Sequence, residues 1–161
     1  MAKRAPAALS HVAASGAVRM VDVGGKPVVE RTAVAEGTVI VSASVRRLVR
    51  TGAAKKGHPL EIARIAGIQA AKRTVDLIPL CHPLALSYID VQVKEARTGY
   101  RVTATVRLAG KTGVEMEALT AVSVAALTIY DMLKAADKAM TIEGIRLVSK
   151  TKSQGDTQGR T

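Results

Sequence analysis

The run IYDMLKA places Asp131 and Lys134 three residues apart. On a helix that spacing makes them neighbours on one face, where the ammonium can hold the carboxylate ionised or pass it a proton. The pair suits acid and base chemistry. The same spacing also describes an ordinary solvated ion pair, and Asp137 and Lys138, further along, fit that plainer description.

Upstream, GKTG is followed by VEMEAL, with Glu115 and Glu117 flanking Met116. Carboxylates in a first helical turn favour the positive end of the helix dipole, and helix-start stabilisation alone would explain them. Glu117 precedes Asp131 by 14 residues, about 20 Å along a helix axis. One site using both needs two chains or a bent substrate path. GKTG is too short to be the complete phosphate loop GxxxxGK[ST].

A third group lies in PLCHP, where Cys81 and His82 sit between Pro79 and Pro83. The two prolines stiffen an irregular segment that directs an imidazole from a fixed loop. Adjacent Cys and His lack the spacing of zinc ligands, so no metal is expected. The plainer alternative is a loop histidine satisfied by backbone beside a small buried thiol. Basic residues cluster at Lys55 and Lys56, at Lys72 and Arg73, at Lys111, and at Lys150 and Lys152, with Arg31 on an early strand. Lys and Arg supply charge-assisted donors to phosphates, although each pair taken singly also reads as a solvated face.

The chain that must position these groups has 161 residues, a formal charge of +11 and a pI near 10.2. That length suits a single domain, and the charge points to an anionic partner: nucleic acid, lipid or a phosphorylated small molecule. Apolar residues make up 48% of the chain, yet Phe and Trp are absent, so Val, Ile, Leu and Ala must build the core. One cysteine excludes an intrachain disulfide. The start MAKRAPAALS has no apolar signal region, and no uninterrupted apolar run reaches membrane-spanning length. A reducing cytoplasm is expected.

Alternation of apolar and polar residues predicts a strand over Ala17–Val23 and another in PVVERTAVAEGTVIV. A short helix in SVRRLV precedes a basic loop, and Pro59 suits the first position of the next helix. That helix shows apolar residues at Ile62, Ile65, Ala66 and Ala70. LSYIDVQVKEA and YRVTATVRLA form a hairpin, with Gly99 in its turn. Gly113 to about Lys138 reads as one long helix, and MTIEGIRLVSK as a last strand broken by Gly144. The order is βαββαβ: an α+β, ferredoxin-like antiparallel sheet backed by two long helices, with an extra N-terminal strand. Residues 1–15 are expected to be a flexible N-terminus, 16–150 one catalytic domain, and 151–161 a flexible basic tail.

Two long segments, ARIAGIQAAKRTVDLIPLCHPL and GKTGVEMEALTAVSVAALTIYDMLKA, resemble the molybdenum cofactor biosynthesis protein C family, the cyclic pyranopterin monophosphate synthases. The resemblance runs from about Leu9 to Lys150. It implies a lyase that takes 3′,8-cyclo-7,8-dihydro-GTP, made by an upstream radical enzyme, and forms cyclic pyranopterin monophosphate with release of pyrophosphate. It implies no cofactor. By motif, Asp131 and Lys134 become the catalytic pair. Leu80, Cys81, His82, Glu115, Met116 and Glu117 become substrate contacts, joined by Lys56, Arg31 and Lys150, with Lys56, His82 and the tail lysines expected on the phosphates. The family's hexamer, a trimer of dimers with sites at the dimer interface, would reconcile Glu117 with Asp131. The tail KTKSQGD departs from the KSGGKSG of many relatives.

A rival from another class is a basic RNA-binding ferredoxin-like module. It needs aromatic residues on the central strands, where this chain offers only Tyr88 and Tyr100. The partners that the resemblance implies are a small triphosphate and further copies of the chain, with no nucleic acid and no membrane expected.

Overall fold

The computed structural model describes residues 11–12, 15–52 and 58–153. Along them run β1 (Val29–Ile40), α1 (Ala43–Arg50), α2 (Pro59–Lys72), the single turn α3 (Thr74–Leu77), β2 (Tyr88–Ala96), β3 (Gly99–Gly110), α4 (Glu115–Leu133) and β4 (Thr141–Ser153). The sheet order is β2-β3-β1-β4, antiparallel throughout. Strand β3 thus lies between β1 and β2, the split arrangement of a ferredoxin-like α+β fold.

The extra strand expected over Ala17–Val23 does not form. Val18 makes one isolated antiparallel bridge with Val12, and 19–28 carry no strand. Both edges of β1 are already taken, by β3 and β4, so this segment has no free ladder there to join.

Alternation along β1 and β3 turns Ala33, Ala35, Val39, Val102, Ala104, Val106 and Leu108 toward the helices, where they are buried. Without Phe or Trp, Tyr100 is the largest fully buried side chain, and alanines bring the layers close together. The RNA-module rival therefore lacks its aromatic platform. Tyr100 is 1% exposed in the core, and Tyr88 lies beneath the Arg107 guanidinium, 4.3 Å from ring centroid to Cζ.

Pro59 opens α2 as its position predicts. The buried face of that helix differs from the expected one: Ala63, Gly67, Ala70 and Ala71 are buried, whereas Ile62 and Ile65 are exposed. The cause is close packing on α4. A Cβ at Gly67 would come within 2.9 Å of the Ala121 carbonyl oxygen and 3.2 Å of Ala125 Cβ. Small residues are what this approach admits, so bulk cannot mark the buried side.

Gly99, expected in the hairpin turn, is instead the first residue of β3, after a turn at Arg97 and Thr98, and has a similar role. It pairs with Ile40 and is buried, and a Cβ there would fall on the Val39 carbonyl oxygen. It serves close backbone approach, since its φ is not positive. Gly144 does have a positive φ, 62°, where the β1–β4 register shifts between Glu36 and Thr38. Such a shift is a bulge, which glycine accommodates without strain.

Helix α4 is shorter than the expected span to Lys138. It stops at Leu133 with Lys134 as its C-cap. Asp137 is no helical ion-pair partner: its carboxylate accepts the Ser42 N–H at 2.8 Å and the Ala139 N–H at 3.0 Å. Those backbone donors, Ser42 first, lower its pKa. By length and composition α4 could cross a membrane, yet half of it is buried inside the fold, as a core helix would be. Strand β4 continues to Ser153, so Thr151 and Lys152 pair with β1 where a loose tail was expected.

Candidate active site

Three stretches distant in sequence meet at one end of the sheet. The β3–α4 loop brings Thr112 and Gly113, and the first turn of α4 brings Glu115, Met116 and Glu117. The proline-bounded loop before β2 brings Leu80, Cys81, His82 and Leu84. With Val21, Val23 and Lys26 from the N-terminal segment and Lys150 from β4, they line an open cleft of about 550 Å³.

The first turn of α4 carries no side-chain cap from the N-cap residue and holds two acidic residues, Glu115 and Glu117, at the positive end of the helix dipole. Glu115 accepts an ion pair from Lys150 at 3.0 Å. Glu117 is 4% exposed. Burial raises its pKa, opposed by a backbone hydrogen bond and helped by the charge of Glu115. A carboxyl group held toward its neutral form inside a cleft can donate a hydrogen bond or a proton. Burial, and then the Glu117 charge, also raise the Cys81 thiol, which disfavours a nucleophilic thiolate.

His82 is half-buried, with Nε2 2.8 Å from the Val21 carbonyl oxygen. Arg31 lines a smaller pocket of about 360 Å³ that shares Gly113, Glu115 and Lys150 with the main cleft. Its guanidinium donates to the carbonyls of Gly110 at 3.0 Å and Lys111 at 3.2 Å. It therefore braces the β3–α4 loop as well as contributing charge. Lys26, Arg31 and Lys152 line a third hollow alongside, of about 500 Å³.

Leu80, Cys81, His82, Glu115, Met116, Glu117 and Lys150 thus share one cleft, with Arg31 beside it. Lys56 lies outside the described residues. Asp131 and Lys134 are not among the residues lining the cleft. They form their pair at the other end of α4, with Nζ 2.6 Å from Oδ1 and both side chains more than half exposed. The Asp131 hydrogen bond, then its charge, raise the Lys134 pKa, so the ammonium is firmly charged. Among the described residues, no three His, Cys, Asp or Glu side chains gather as a metal site.

Val21, Val23, Lys26 and Thr112 line the cleft without having been singled out from sequence. The segment of the first three carries no motif of reactive residue types, and Thr112 sits in GKTG, an incomplete phosphate loop that gave no reason to choose its threonine. Only the turn signal Gly24-Gly25-Pro27 marks the first segment.

Comparison with known proteins places the chain among named relatives. A protein named cyclic pyranopterin monophosphate synthase from Methylobacterium sp. (strain 4-46) is 59% identical over 147 residues, covering 90% of this chain and 92% of the relative. Proteins of the same name from Methylobacterium nodulans and Parvibaculum lavamentivorans are 58% and 56% identical over 145 residues, each covering 89% of this chain and 91% of the relative. The MoaC family model matches residues 20–153, which span every strand and helix and the cleft residues from Val21 to Lys150. The chain belongs to the MoaC family.

Proposed function

We propose that this protein is a cyclic pyranopterin monophosphate synthase, a lyase of molybdenum cofactor biosynthesis. It converts 3′,8-cyclo-7,8-dihydro-GTP to cyclic pyranopterin monophosphate and pyrophosphate. The observation that carries the reading is the meeting of PLCHP, VEMEAL and Lys150 around one cleft that holds a buried acid, Glu117, and is flanked by cations. A purine-derived ring needs acid and base groups, and a triphosphate needs charge-assisted donors.

In this reading Asp131 and Lys134 move protons during purine ring opening and pterin closure. Arg31, Lys56 and Lys150 hold phosphates. A sugar hydroxyl oxygen attacks the α-phosphorus, forming the new P–O bond of the cyclic phosphate. The bond from that phosphorus to the bridging oxygen breaks, and pyrophosphate leaves with the electron pair. The hydroxyl proton passes to a base of the site.

Since Asp131 and Lys134 stand about 21 and about 26 Å along the α4 axis from Glu117, each site takes the pair from one subunit and the cleft from another. This calls for at least a dimer, which the family resemblance extends to a hexamer built as three dimers, and an isolated monomer is then poorly active. The single cysteine and the charged small-molecule substrate favour a cytoplasmic setting.

Incubation of purified protein with the cyclic dihydro-GTP, followed by chromatography of the product and assay of pyrophosphate, tests the reading. Stoichiometric cyclic monophosphate and pyrophosphate are expected. Salt-sensitive RNA binding with no turnover would sink it in favour of the RNA-binding module.

A further inference from the structure

The N-terminal strap Val21–Lys26 is a built turn. The Asp22 carboxylate accepts the Gly24 N–H at 2.8 Å, and the Val23 carbonyl accepts the Lys26 N–H at 3.1 Å. Two carbonyls of this turn are held by side chains from two other loops. Val21 C=O meets His82 Nε2 at 2.8 Å, and Gly24 C=O accepts from Lys111 Nζ at 2.6 Å. Lys111 is itself anchored, because Arg31 donates to its carbonyl.

A carbonyl oxygen can only accept, so the Val21 contact requires the proton on His82 Nε2. In the neutral ring the lone pair is then on Nδ1, which has no hydrogen-bond partner among the described residues, on a side chain that lines the cleft. A neutral imidazole in that state has no N–H left for a phosphate oxygen. It can only accept, from a substrate hydroxyl or ring N–H.

We propose that Lys111 is a positioning residue: its hydrogen bond to Gly24 holds the strap, the strap's Val21 carbonyl sets His82 as the Nε2–H tautomer, and Nδ1 is the acceptor offered to substrate. This rests on the cleft being the synthase site and assigns His82 to the sugar or base portion of the substrate, apart from the phosphates. Lys111 acts only through the strap, as outer partners of catalytic histidines do elsewhere.

Long-range proton–nitrogen NMR correlation of the nitrogen-15-labelled full chain, well above the ordinary imidazole range, reads the tautomer directly. Wild type should show His82 protonated at Nε2. Lys111→Met should show both tautomers and lose about 10-fold in kcat/KM, and Lys111→Arg should restore both. An Nδ1–H tautomer in wild type overturns the proposal, as does an unchanged tautomer in Lys111→Met. Should Lys111→Met fail to fold, Lys111→Gln replaces it, since the shorter side chain cannot span to Gly24. A wild-type chain that folds without turning over the cyclic nucleotide refutes the synthase reading instead, and the tautomer arm still decides the role of Lys111.

Discussion

Glu117 and Asp131 stand at opposite ends of α4, about 21 Å apart along its axis, the first buried beside the cleft and the second in solvent. A rigid helix cannot bring them to one small substrate within a single chain. If both serve one reaction, either the substrate spans a bent path between them or a second copy supplies one of them.

Subunit complementation tests that arrangement. Asp131→Asn and His82→Ala each disable a different contributor to the shared site. Each variant alone should be nearly inactive, whereas co-refolding the two in equal amounts should regain roughly a quarter of wild-type activity, the share of intact sites from random pairing in a two-fold dimer. Recovery at background level would place all these groups in one chain's site.

Single substitutions at the pair should separate activity from stability. Asp131→Asn and Lys134→Ala are each expected to lower turnover by about 10²–10⁴-fold, the range for a lost acid or base group. Because the pair is more than half exposed, each should leave the unfolding transition essentially where it is in wild type. Near-normal turnover in either variant removes the pair from the mechanism.

Glu117 links the cleft to pH. Its pKa is raised in the folded state, chiefly by burial, so the folded chain binds a proton more readily than the unfolded chain. Stability is therefore greater at and below the ordinary carboxylate range and falls as pH rises through the raised folded value. Glu117→Gln removes that dependence. At pH 7 the variant should melt a few degrees higher than wild type, with the gap closing by pH 4, while turnover falls. Equal melting temperatures at both pH values would show that the carboxyl is not strained by burial.

Two glycines give a paired test of the fold. Gly99→Ala drives a methyl group into the Val39 backbone and should cost about 3 kcal/mol, the upper end of overpacking. Gly144→Ala has open space around it but a φ of 62°, so it should cost about 1–2 kcal/mol from left-handed backbone strain alone. Chemical denaturation curves would reveal the order, and a reversed order would contradict the close β1–β3 approach.

Residue order alone determined the succession of the four sheet strands and the two long helices, the pairing of β2 and β3 as a hairpin, the start of α2 at Pro59, and the motifs from PLCHP to IYDMLKA. Each of these is local: alternation, a proline without an N–H, or a run free of breakers is readable from neighbours in the chain. Tertiary structure decided the rest. Ile62 and Ile65 look like the core side of α2, yet Gly67 and three alanines are buried, because what α4 admits is small rather than greasy. Ala17–Val23 alternates like a strand and joins no ladder of the sheet, making one isolated bridge at Val18 while its far end is held over the cleft by His82. Asp137 left the helix to accept backbone N–H groups 95 and two residues away. The cleft itself arose only when the strap, the proline-bounded loop and the head of α4 met, with His82 bonded to a carbonyl 61 residues distant. No pattern of neighbours encodes a contact of that separation, because it exists only once the sheet and helices have brought both ends to the same place.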